Sequence, residues 1–232
     1  MELYLAVLFM AGLVAMDTTS GPQMLVSEPL VSCTLFGLLF GRPELGVMTG
    51  VLFQMLSIGY MPLGGEHFTD NNMAACISCA SLLAAQRMFG LSGAEESAAL
   101  TVMLVYGVAV GVVGLHLKNY ERRLNGIRAG NIMRRLKHGD PVTVGSVHRA
   151  GISASFVKGA LMAAVLVPAG TVLCRLILFL PLPLVNGMST ASHLVWGSVA
   201  ASGVVFYLAK GRSVVILLGS LGGIAWIVFT KL

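Results

Sequence analysis

Ala98 to Leu117 runs for twenty residues without an Asp, Glu, Lys or Arg. A bilayer's hydrocarbon core is about 30 Å thick and takes roughly 20 helical residues to cross. Three further stretches are long and apolar enough to do the same: Ala150 to Leu180, Thr190 to Ala209 and Ser213 to Phe229. The whole chain is 56% hydrophobic and 11% charged. Soluble domains carry roughly 25% charge, so a water-soluble globule is excluded. Period-two alternation is absent, which favours helices over a transmembrane barrel. The expected fold class is therefore an all-α integral membrane protein.

The first third is built differently. Leu3 to Met16, Pro29 to Phe40, Leu45 to Ile58 and Met73 to Leu83 are apolar but too short to span, and Gly- or Pro-containing polar breaks separate them. Two N-terminal re-entrant or broken helical hairpins, followed by about four transmembrane helices, are expected. The organisation reads as residues 1–95, a hairpin unit with the solute site, and residues 96–232, transmembrane helices with a basic cytoplasmic loop at 118–149.

The break from Gly59 to Asn72 combines Pro62, Gly64 and Gly65 with Glu66, His67, Asp70, Asn71 and Asn72. Irregular backbone at membrane depth survives only where protein buries it or where it lines a water-filled cavity. Discontinuous helices of this kind are where transporters hold polar solutes. Sugars are recognised by planar polar side chains above an apolar or aromatic surface. Gln54, Glu66, His67, Asp70, Asn71 and Asn72 supply the first, and Tyr60 and Phe68 the second. Asp17, Thr18 and Gln23, at the earlier break, are further candidates for lining the same cavity.

The N-terminal run resembles a signal peptide in hydropathy. Glu2 stands where a basic residue is expected and no small-x-small cleavage site follows, so the run is read as retained. Cys76 and Cys79 have the spacing of a metal half-site, but without a second pair nearby they read as packing residues, and neither a metal nor a cofactor is expected. Lys118 to Arg149 carries 8 of the 15 basic residues against Glu121 and Asp140. Positive-inside bias places it in the cytoplasm. Lys210 and Arg212 form a second basic turn on the same side by span counting. Anionic lipid or a soluble protein are the partners such a stretch could take, and nothing calls for nucleic acid.

Pro29-Leu-Val-Ser-Cys-Thr-Leu-Phe-Gly37, then Gly41, Gly46, Thr49-Gly50 and Leu52-Phe-Gln-Met55, resembles the mannose-family (mannose/fructose/sorbose) IIC subunit of the bacterial phosphotransferase system. Pro62, Gly64, Gly65, Asp70 and Asn71 match the family's next segment, and Pro181, Gly187 and Ala191 a later turn. The resemblance implies a permease of the bacterial inner membrane that binds a hexose or amino sugar on its re-entrant hairpins. It implies a IID membrane subunit as partner, a trimer of IIC–IID pairs, and cytosolic IIA and IIB carriers that phosphorylate the sugar. The chain departs from the pattern at Glu28, Arg42 and Gln54. Since Glu28 and Arg42 invert sign together, they are expected to pair with each other.

No nucleophile elbow, zinc-ligand run or Walker loop is present, so no phosphoryl-carrier residue is expected in the chain itself. Two rival readings stay open from the residues alone. One is an ion-coupled secondary transporter, with Glu66 and Asp70 binding the ion; the other is a non-transporting membrane assembly subunit.

Overall fold

The computed structural model describes residues 1–21, 24–58, 69–138 and 144–209. All regular structure among them is helical. The elements are α1 (Glu2–Thr19), α2 (Pro29–Phe40), α3 (Pro43–Ile58), α4 (Asn71–Phe89), α5 (Ala94–Lys137), α6 (Val144–Leu176), a short 3-10 turn (Ile177–Phe179) and α7 (Leu182–Ala209). Two of them, α5 and α6, are long and apolar enough to cross a membrane. The span expected at Ser213 to Phe229 and the turn at Lys210 lie outside the described residues.

Local punctuation explains the α2–α3 hairpin. Proline opens each helix, where its missing N–H would be unpaired in any case. Gly41 ends α2 in the left-handed region, φ +73°, which costs a residue without Cβ little. The two helices then touch backbone to backbone. A Cβ on Gly46 would stand 2.5 Å from the Cys33 carbonyl oxygen and 2.7 Å from Gly37 Cα. Any larger residue there would force the pair apart.

α4 sits at the centre and is buried continuously from Met73 to Leu83. Its run of Ala, Cys and Ser keeps side chains small on every face, so neighbouring helices approach closely. The thiols serve that packing: Cys33 Sγ donates to the Ala75 carbonyl and Cys79 Sγ to the Cys33 carbonyl.

α1 pairs along α6, not with α2 as chain order would put it. Gly159 nests against Ala11 and Ala15, and Gly12 against the Phe156 ring. Pro168 inside α6 leaves the Ala164 carbonyl without its helical donor. The Tyr4 hydroxyl of α1 fills that gap at 2.8 Å. Ser81 and Tyr106 donate to the neighbouring Val167 and Leu166 carbonyls. Where lipid offers no donors, these side chains satisfy the backbone around the proline.

The expected loop at 118–149 is helix over most of its length. α5 continues unbroken to Lys137 and α6 begins at Val144. One face of its start is buried, at Lys118 and Glu121, and Glu121 receives hydrogen bonds from Lys158 Nζ, at 2.6 Å, and from the Ser155 hydroxyl. Ser155 in turn meets Ser20 at the end of α1, 2.6 Å away. A hydrophilic stretch read as a solvated loop thus begins as an ion-paired helical contact between α5 and α6.

Candidate functional site

α5 carries Gly107, Gly111 and Gly114 at spacings of four and three, so they share one face. That face is a notch for residues on both sides of the break between α3 and α4. Phe53 of α3 lies against Gly107, where a Cβ would stand 2.6 Å from the ring. Thr69 sits against Gly111, and Asp70 against Gly114, whose Cβ would come within 2.7 Å of the aspartate's own. The small-xxx-small pattern here receives a polar turn and an aromatic ring.

Asp70 is the best fixed of the candidate residues. It is 3% exposed, and its N–H donates to the Gly111 carbonyl at 3.0 Å. Its carboxylate caps α4 by accepting from Met73 N–H at 3.4 Å, one of the orphan donors every helix start carries. Lys118, one turn beyond Gly114 on the same face, is 5% exposed. Asp70 is therefore a buried carboxylate held in position by α4 and α5. Thr69 and Asn71 flank it, the threonine hydroxyl donating to Asn71 Oδ1.

Thr69 and Asn71 face a pocket of about 150 Å³ between α3, α4 and α5. Phe53, Leu56, Leu104 and Val108 supply apolar walls, and Ser57, Thr69 and Asn71 the polar ones. The Ser78 hydroxyl, close to Gly107, is buried without a hydrogen-bond partner among the described residues. Apolar walls with a few convergent polar groups are the usual make-up of a small-molecule site. Asn72 follows on the first turn of α4 and is half-buried.

Gln54 is placed elsewhere. Its amide donates to the Glu28 carboxylate at 3.0 Å and its oxygen accepts from Leu30 N–H. It thereby serves the open N-terminus of α2 from the neighbouring helix. The expected Glu28–Arg42 pair is overturned: Glu28 bonds Gln54, and Arg42 pairs with Glu96 of α5 at 3.1 Å. A glutamate at 54 would set two carboxylates together, which explains why an amide stands opposite Glu28.

Asp17 is also committed. Its two oxygens accept from Met24 N–H at 2.6 Å and Ser27 N–H at 3.0 Å, fastening the turn between α1 and α2. Thr18 bonds back to the Val14 carbonyl. Gln23, Tyr60, Gly64, Gly65, Glu66, His67 and Phe68 lie outside the described residues. Sequence reasoning passed over Thr69, Ser57 and Phe53, and over the Glu121–Lys158 pair. The signal for the pair was available: a lone acid and a lone lysine bordering apolar helix are rarely idle.

Membrane-length apolar helices around a polar helix break define a helical membrane protein with a small pocket at that break. The chain belongs to the family described as PTS system sorbose-specific IIC component, whose model matches residues 3–208. Members are membrane sugar-transport components of the phosphotransferase system. Among curated relatives, the sorbose-specific EIIC component of Klebsiella pneumoniae is 28% identical over 92 residues, 38% of this chain and 35% of that protein. The sorbose-specific EIIC component of Lacticaseibacillus casei is 32% identical over 51 residues, 22% of this chain and 18% of its own length. The mannose-specific EIIC component of Escherichia coli K12 is 30% identical over 63 residues, 27% of this chain and 24% of its own. The aligned part thus spans about a third or less of these relatives.

Proposed function

We propose that this chain is the IIC permease subunit of a phosphoenolpyruvate-dependent phosphotransferase complex. It binds a hexose or amino sugar at the α3–α4 break and passes it inward for phosphorylation by a cytosolic IIAB protein. The observation that carries this reading is Asn71 and Thr69 facing the pocket, held there by the buried Asp70 cap on the α5 glycine face. An amide and a hydroxyl over apolar walls match adjacent sugar hydroxyls. Glu66 and His67, within the break itself, extend the polar set from the sequence.

Depth supports the same reading. Taking Leu117 as the cytoplasmic end of the span, the pocket-lining residues Leu104, Gly107 and Val108 lie nine to thirteen residues inside it, roughly 14–20 Å at helical rise. A solute there is near the middle of the bilayer, the depth at which transporters built on broken helices hold their substrates. The exposed apolar faces of α5 (Val105, Val108, Val112) and α6 (Leu161, Val165, Val172) suit lipid or a IID subunit in a trimeric complex. The chain contributes binding and translocation, and its partner the phosphoryl chemistry.

Uptake assays test this. Sugar entry should require the phosphoryl donor, yield sugar phosphate, and survive collapse of ion gradients. Asn71→Ala should cut uptake about tenfold, the scale of one or two lost hydrogen bonds, with the protein still assembled. Uptake that ignored the donor and stopped with the ion gradient would replace this reading with ion-coupled transport.

A further inference from the structure

α5 outlasts the membrane. Ala98–Leu117 fills the hydrocarbon core, and the same helix continues from Arg122 to Lys137, about 24 Å further at 1.5 Å per residue. Every residue from Arg122 to His138 is exposed or half-buried. Cβ atoms on Gly126 and Gly130 would meet nothing within 4 Å. Two glycines inside an exposed helix lower its stability by about 1 kcal/mol each, and no close packing among the described residues requires them. Past the Glu121–Lys158 pair, the arm presents most of its surface outward among the described residues.

Its charge is one-sided. From residue 122 to 149 there are seven Lys or Arg against Asp140 alone, a net +6 with histidines neutral. We propose that the arm is a docking surface for an acidic face of the soluble phosphoryl-donor protein. The proposal rests on the permease reading for the donor's identity and for the side of the membrane the arm occupies.

Distance separates a protein partner from a lipid one. The headgroup layer adds about 5–8 Å beyond the hydrocarbon on each side, which covers Lys118, Arg122 and Arg123. At an average tilt of about 20° the arm still rises by more than 20 Å. Arg134, Arg135 and Lys137 then stand well beyond the roughly 8 Å over which physiological salt screens a charged surface. A polybasic lipid anchor would gain nothing from charges held at that height. A soluble protein would meet them first.

Composition agrees. Five arginines and one lysine lie between residues 122 and 137. Arginine and methionine are enriched at protein interfaces and lysine depleted, whereas anionic lipid takes either cation. Ile127, Met133 and Leu136 are about half exposed among the arginines, giving the patch apolar contacts as well as charge. Arg128 and Arg134 are braced by Asn125 and Asn131 one turn before them, which holds their guanidinium groups along the helix.

The test uses the full chain, with any co-expressed IID subunit, in nanodiscs of phosphatidylcholine alone. Binding of the labelled cognate IIB carrier is measured for wild type and for the triple variant R134S/R135S/K137S, at about 50 and 300 mM salt, conditions that change screening strongly. The variant should bind the carrier about tenfold or more weakly and lose most of its salt dependence, while sugar binding by the same nanodiscs stays unchanged. Equal carrier binding by the two proteins overturns the proposal. So does an effect of the three substitutions seen only as lost binding to phosphatidylglycerol vesicles, which would make the arm a lipid anchor. In both cases intact sugar binding leaves the permease reading standing; a wild type that binds neither sugar nor carrier removes that reading, and the arm's partner with it.

Discussion

Two of the polar breaks between the apolar helices of the N-terminal third spend their polar atoms in opposite ways. At the break between α1 and α2, both oxygens of Asp17 are taken by backbone N–H groups of the following turn. At the break between α3 and α4, Asp70 caps its helix and docks on α5, while Asn71 and Thr69 face a pocket. The first closes on itself; the second is held open by its neighbours. On the proposed reading, what separates a solute site from a structural turn is that its polar side chains face a pocket, as Thr69 and Asn71 do and Asp17 does not.

The sharpest way to break the comparison is to fill the notch under the open site. Gly114→Leu would push Asp70 off α5 and misplace Asn71. Uptake should fall about a hundredfold, the scale of an ångström's misplacement at a site, with helix content and membrane insertion retained. Unchanged uptake would mean that Asp70's seat on α5 is not what orients the pocket.

Asp17→Ala tests the closed break. It strips two backbone donors of their acceptor, which should cost about 1–3 kcal/mol of stability. Sugar affinity of the folded fraction should match wild type. A binding isotherm weakened out of proportion to the thermal shift would reassign Asp17 to the cavity.

The smallest expected effect concerns Gln54. Gln54→Glu places a carboxylate against Glu28 and should lower the melting temperature by the equivalent of about 1 kcal/mol, while Glu28→Gln in the same chain should restore it, a coupling that a double-mutant cycle reads directly. Failure of the second change to rescue the first would show that Gln54 acts through something other than Glu28.

Much of this architecture was legible before any coordinates. Uncharged runs mark the helices, Gly41 with Pro43 marks the α2–α3 turn, and Asp70 before Asn71 marks a helix start, since each signal acts within a few residues of itself. Gly107 and Gly111 stand four residues apart in the sequence, a close-packing spacing, but what α5 receives there was not legible, because Phe53 and Asp70 arrive from other parts of the chain. The stretch after Leu117 misled for a related reason. Its charge density reads as a loop, yet arginine and lysine are good helix formers, and the pairing of Glu121 with Lys158 extends the buried contact past the apolar run.

By itself, then, the sequence determined the helical class, the places where helices break, and the family pattern around Pro29 to Met55. Those follow from hydropathy and backbone stereochemistry, which are local. Only the tertiary structure decided which partner each polar group finds. Gln54 finds Glu28, Arg42 finds Glu96 and Glu121 finds Lys158 across 26, 54 and 37 residues. A hydrogen bond is satisfied by whatever lies within about 3 Å, and chain order does not say what that is.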